Sequence, residues 1–239
     1  MTLSEGLYLQ SLQAARACWP LLLVLVAVNA IAGSLGWLDG ALSSVLITSI
    51  TGGIVSTALH RALLLEPPRE AFGRLGDVFL YVSVLAVIQI IALPFYLIAE
   101  AATAHTETLG LVILSLGAAL LGFTFTTLPS ILLAPIFPAI ALSQGLRIVE
   151  AFRGTAGQRW RIVWEMIYGP VAVTVGVTLV VAAVGFGTNE AAFTPEGRFT
   201  TTPSGLMLGL FVYVTTAAVV ALSSTVLTRA YLRAGMAPR

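Results

Sequence analysis

From Thr108 to Leu142 the chain runs for thirty-five residues without a charged side chain. As one straight α-helix that run would measure ~52 Å, against the ~30 Å hydrocarbon layer of a bilayer. A segment so apolar belongs in a membrane, and one so long must break before it emerges. Pro129, Pro135 and Pro138 supply the break, because each lacks a backbone donor and its ring clashes with the preceding turn. The pattern predicts a span over about 108–128, then a kinked stretch near one membrane face. Broken helices hold substrates in some transporters by turning half-helix ends toward them. A plain bend that redirects the chain along the interface accounts for the same prolines.

Further apolar runs of crossing length, uncharged apart from Glu165, lie at about 17–38, 41–59, 78–99, 163–187 and 205–228, which makes six spans. Composition agrees: 58% of residues are hydrophobic and 10% charged, where a soluble domain carries about 25% charged. The expected fold class is an all-α integral membrane protein, a single transmembrane helical domain over 1–239. Leu21–Val28 followed by Ala30-Ile31-Ala32 has the look of a signal-peptide core. The preceding segment is long and holds Glu5 and Arg16, so a membrane helix is expected instead. The 41–59 run contains Ser43, Ser44, Thr48, Ser49, Thr51, Ser56 and Thr57. A helix this polar is expected inside the bundle, its hydroxyls bonded to backbone.

The arginines set the orientation. All twelve basic residues are arginine, and an N-in/C-in arrangement of six spans leaves only Arg198 outside. The exclusive use of arginine suggests a GC-rich bacterial genome, hence a multi-pass protein of the bacterial cytoplasmic (inner) membrane. Trp19, Trp37, Tyr96, Trp160, Trp164 and Tyr231 fall near expected helix ends, where amphipathic rings favour the headgroup layer.

Two interfacial elements are expected on the cytoplasmic side. Residues 1–16 form a surface helix, opened by the capping box Thr2-Leu3-Ser4-Glu5 and striped by Tyr8, Leu12, Ala15 and Trp19. Pro67-Pro68 bars a continuous helix in the first cytoplasmic loop. Residues 141–160 form a second surface helix, with Leu142, Leu146, Val149, Phe152, Ala156 and Trp160 on one apolar stripe. Gly154 and Gly157 admit a bend there. Arg147, Arg153, Arg159 and Arg161, with Trp160, are candidate contacts for a lipid phosphate or a protein partner. Topological anchoring explains the same arginines. Glu165, the one acid inside an expected span, is placed to pair with Arg161 four residues earlier.

Nothing in the sequence marks catalysis. His60 and His105 fall on opposite faces, and there is no HExxH or GxSxG. The absence of lysine removes Schiff-base and P-loop chemistry, and Gly185-Phe186-Gly187 lacks the third glycine of a dinucleotide loop. Cys18 stands alone, which excludes an internal disulfide. A net charge of +1 argues against nucleic acid as a partner. No metal or cofactor is expected.

The proline-broken segment, then Pro138-Ala139-Ile140-Ala141-Leu142, then Ala151-Phe152-Arg153-Gly154-Thr155 and Gln158-Arg159-Trp160-Arg161, resembles the YciC-like bacterial inner-membrane proteins. It is similar also to the membrane domain that accompanies some glycerophosphodiester phosphodiesterases. The likeness is at motif level over about 125–165 and one of layout elsewhere. It implies a six-helix N-in/C-in protein, and it carries no catalytic residue over, because in those relatives hydrolysis belongs to a separate soluble domain. The expected function is that of a non-enzymatic scaffold or accessory subunit, binding inner-leaflet phospholipids or a larger membrane complex. The alternative is a transporter of a lipid or small molecule through the proline-broken fourth helix.

Overall fold

A computed structural model describes residues 6–35, 41–65, 74–103, 109–188 and 203–236. The chain is all-helical, with no strand among the described residues. A short helix α1 (Leu7–Ala17) meets α2 (Trp19–Ser34) at Cys18, and the two axes differ by 85°. Pro20, in the first turn of α2, has no donor to lose there, so a helix can start beside it. The capping-box residues 2–5 and Pro67-Pro68 lie outside the described residues.

Three helices are long and apolar enough to cross a membrane, over Leu75–Ala99, Arg159–Val181 and Gly205–Arg233. The bent α1–α2 pair makes a fourth if it is one broken span. The remaining long helices are α3 (Ala41–Leu64) and α5 (Leu109–Leu132), and α4 covers Leu75–Thr103. In α3 threonine hydroxyls turn back on their own helix, Thr51 donating to the Ile47 carbonyl at 2.7 Å and Thr57 to that of Gly53 at 2.8 Å, whereas the Ser49 hydroxyl finds no partner within the protein. Ser49 and Thr57 are fully buried. This is how a polar helix fits inside an apolar bundle.

The proline run works as a hinge. α5 continues through Pro129 to Leu132, the chain turns at 133–135, and a six-residue helix α6 (Ile136–Ala141) follows. Every residue of α6 is buried, so the break folds the chain inward instead of laying it on the surface. Phe137 and Ile140 join Tyr81, Ile162, Val226 and Ala230 in one core cluster. The freed carbonyl of Ala141 accepts from Arg61 at 2.8 Å.

The 141–160 surface helix differs from expectation. Residues 142–147 are non-helical, α7 covers only Ile148–Thr155, and a turn at 156–158 leads into α8 (Arg159–Met166). Ser143 and Gly145 hold positive φ angles of 61° and 74°, which helix geometry excludes. Gly154 is required by contact: a Cβ there would stand 2.7 Å from the Ala234 methyl. The apolar stripe faces outward at Val149, Phe152 and Trp160, while Ala151 and Thr155 turn inward.

After α8 the helix widens to a π-turn at Ile167–Val171 around Pro170 and continues as α9 (Ala172–Thr188). The long α10 (Pro203–Arg233) is the axis of the molecule, packing against α1, α2, α3, α6, α7, α8 and α9. A second core cluster, with Ala14, Leu25, Leu59, Ala217 and Ala221, joins it to α1–α3. α4 packs between α3 and α5, where the rings of Phe95 and Phe125 stack at 4.8 Å.

Candidate functional site

Three features converge on one end of α10. The first is an ion cluster around Glu165. Arg233 grips its carboxylate with both terminal nitrogens, Nη1 to Oε2 at 2.9 Å and Nη2 to Oε1. Arg229, one turn earlier, places Nε 3.3 Å from Oε1, and Arg161 lies at 3.7 Å. Arg229 also donates to Gln10 of α1 at 2.9 Å. The sequence pairing of Glu165 with Arg161 is therefore present but is the longest of the three. The dominant partners come from the final helix. Pattern reasoning missed them because they are distant in sequence, although Arg229 and Arg233 share one helix face. Gln10, buried beside Ala14, was the available signal for the inner face of α1.

The second is a buried polar chain. Thr228 donates its hydroxyl proton to the Ser224 carbonyl at 2.8 Å, so its oxygen can only accept from His60 Nδ1 at 2.7 Å. Nδ1 then carries the proton, and Nε2 accepts from the Tyr81 hydroxyl at 3.0 Å. His105, the other histidine, lies outside the described residues.

The third is a cavity of about 570 Å³ walled by α3, α4, α5, α10 and the π-turn region, with Tyr81 and Phe137 among its lining. Thr126, Thr127 and Ser130 reach it from the proline-bearing end of α5, and Thr174 from α9. Gln89, Ser223 and Ser224 add polar groups to walls that are otherwise apolar. Among the described residues no charged side chain lines it. Ser224 is 1% exposed and its hydroxyl finds no partner within the protein. Gly52 of α3 also borders the space, and a Cβ added there would meet nothing within 4 Å.

The arginines singled out from the sequence do not form one site. Arg147 and Arg153 flank a shallow depression of about 840 Å³ with Gln144, Gly154 and Gly235, and Arg147 pairs with exposed Glu150 at 3.2 Å. Arg159 lies over the Phe152 ring, 4.5 Å from its centre. Trp160 stands edge-on to Trp164, which stacks on Tyr168, with ring centres 5.6 and 5.4 Å apart. Arg161 alone joins the Glu165 cluster. No family model, no curated protein and no solved structure matches this chain.

Proposed function

We propose that this chain is a non-enzymatic membrane protein that binds, and moves or presents, a lipid or small apolar molecule held between its helices. The observation that carries the reading is the hydroxyl-dotted cavity beside the proline hinge. Water-soluble bundles fill such space with side chains, and a concave, mostly apolar chamber with a few polar groups suits a ligand. The hinge supports the same reading, because α5 supplies part of the wall and α6 contributes Phe137. This is the transport alternative of the sequence reading, routed through the fourth span.

The proposal includes six spans with both termini in the cytoplasm of a bacterium and kinship with the YciC-like proteins. Inner-leaflet phospholipid is proposed to meet the outward stripe of Val149, Phe152 and Trp160, beside Arg147 and Arg153. The accessory-subunit reading rests on the same outer surfaces and predicts a stable protein partner.

The test is native mass spectrometry of the full chain extracted from its own membrane in a lipid-preserving polymer, alongside Gly52→Leu. The expected result is a small non-protein adduct on the wild type that the cavity-filling variant loses. A wild type with no adduct would overturn the cavity reading. A stoichiometric protein companion, unaffected by Gly52→Leu, would put the accessory-subunit reading in its place.

A further inference from the structure

On the outer surface, between α5 and α7, lies an open trough of about 360 Å³. Thr124, Phe125, Leu128 and Leu132 wall it on one side and Phe152 on the other. No charged side chain lines it, and the Thr124 hydroxyl donates to the Leu120 carbonyl at 2.8 Å. From Thr124 to Leu132 the groove follows α5 for eight residue steps. At 1.5 Å per residue that is ~12 Å, close to the ~15 Å of hydrocarbon in one leaflet. Thr155 of α7 donates to the Leu132 carbonyl at 3.0 Å, which fixes Phe152 at the proline-bearing end of α5.

Arg159 stands at that end. Its guanidinium carbon lies 4.5 Å from the centre of the Phe152 ring, and Nη2 reaches the Phe152 carbonyl only at 3.5 Å. Its Nε is buried and finds no partner within the protein. Among the described residues no carboxylate pairs with Arg159. Glu150 faces Arg147 at 3.2 Å, and Glu165 is taken by Arg161, Arg229 and Arg233. Arg159 also opens the apolar stretch Arg159–Val181, next to exposed Trp160, so a bilayer would set it at the level of the headgroups.

The mouth of the trough therefore holds a positive charge that the described residues do not balance. An apolar helix laid in the groove would cover its walls and leave that charge bare. A free phosphate would meet the charge and leave the apolar walls open. A lipid with an anionic head satisfies both with one molecule. We infer that the groove between α5 and α7 holds one acyl chain of an anionic phospholipid, with Arg159 on its phosphate. The inference rests on the reading that this face meets inner-leaflet phospholipid, and it is independent of the internal cavity.

The experiment is native mass spectrometry of the full chain, extracted from its own membrane in mild detergent and then titrated with phosphatidylglycerol or phosphatidylcholine. The first phosphatidylglycerol is expected to bind about tenfold more tightly than the first phosphatidylcholine. In Arg159→Gln that preference should fall to within about twofold. Arg153→Gln, at the separate depression beside Gly235, should keep it whole. Leu128→Trp, at an exposed side chain, fills the trough and should lose the tight site for both lipids. Equal binding of the two lipids, lost in Leu128→Trp, would overturn the headgroup assignment and leave the leaflet contact standing. A preference that survives Arg159→Gln, or that falls as far in Arg153→Gln, would overturn the site, as would tight binding indifferent to Leu128→Trp. A protein companion that Leu128→Trp displaces would give the groove to a partner and overturn the lipid. No adduct of either lipid would remove the inner-leaflet reading as well.

Discussion

Glu165 and Arg233, 68 residues apart, meet in a two-point ion pair in which each terminal guanidinium nitrogen faces its own carboxylate oxygen. The pair fastens α8 to the end of α10, and Arg229 extends it to Gln10 of α1. One carboxylate thus serves three guanidiniums, which makes the variants unequal. Glu165→Gln removes the carboxylate that Arg229 and Arg233 share, at side chains only 7% and 10% exposed. It is expected to destabilise by about 3 kcal/mol, as loss of one partner from a buried pair does. Arg233→Gln should cost less, because Arg229 still faces the acid. Arg161→Gln, at a side chain 62% exposed, should cost below about 1 kcal/mol. Thermal unfolding in one detergent ranks the three, and an Arg161 variant as damaging as Glu165→Gln would refute the assignment of dominant partners.

Adjacent glycines on α3 should respond in opposite directions. A Cβ on Gly53 would lie 2.8 Å from a Val82 methyl, and Val82 is β-branched and stiff on the facing α4. Gly52 faces open space. Gly53→Ala is therefore expected to destabilise by roughly 1–2 kcal/mol through overpacking. Gly52→Ala should stabilise by up to ~1 kcal/mol through helix propensity. Melting temperatures of the two variants in the same detergent decide it, and a shift of the same sign in both would show that α3 and α4 do not pack in this register.

The proposed orientation has its own consequence. With both termini inside, a fluorescent protein fused after Arg239 should light up, and alkaline phosphatase fused there should stay inactive. Fusions within 104–108, between α4 and α5, should behave in reverse. An active phosphatase at the C-terminus would remove the even count of spans, and with it the reading of the arginines as a cytoplasmic set.

The helical class and the place of the break were legible because both follow from local chemistry: charge-free length and missing proline donors. What the break does was not legible. Pro129, Pro135 and Pro138 announce that the helix ends, but only the packing of Phe137 and Ile140 against Tyr81 and Ile162 shows that the chain turns inward. The positive φ at Ser143 also escaped notice, since serine does not advertise it as glycine does. Spacing found Arg161–Glu165 because four residues bring two side chains together on any helix. Arg233 meets Glu165 through tertiary packing, which spacing cannot encode. The cavity is the least visible of all. Ser56 of α3, Thr126 and Ser130 of α5, and Thr174 of α9 come from three helices, and their common wall exists only in the assembled bundle.

The His60 chain yields the most specific prediction. Because Thr228 donates to a backbone carbonyl, the imidazole must be protonated on Nδ1 and accept at Nε2. Nitrogen NMR of histidine-labelled protein should therefore report a neutral ring with the proton on Nδ1, and the opposite tautomer would break the inferred direction of every bond from Thr228 to Tyr81. Tyr81→Phe removes the donor and leaves Nε2 buried without one, at an expected cost of about 1–3 kcal/mol. Thr228→Val leaves the Nδ1 proton without an acceptor and should cost a similar amount. The two losses fall on one ring, so they should not add. Once either bond is gone the ring is free to shift toward its remaining partner, and the double variant should lie at least ~0.5 kcal/mol short of the sum. Strict additivity in a double-mutant cycle would mean that Tyr81 and Thr228 act on His60 independently, and the chain would reduce to two unrelated contacts.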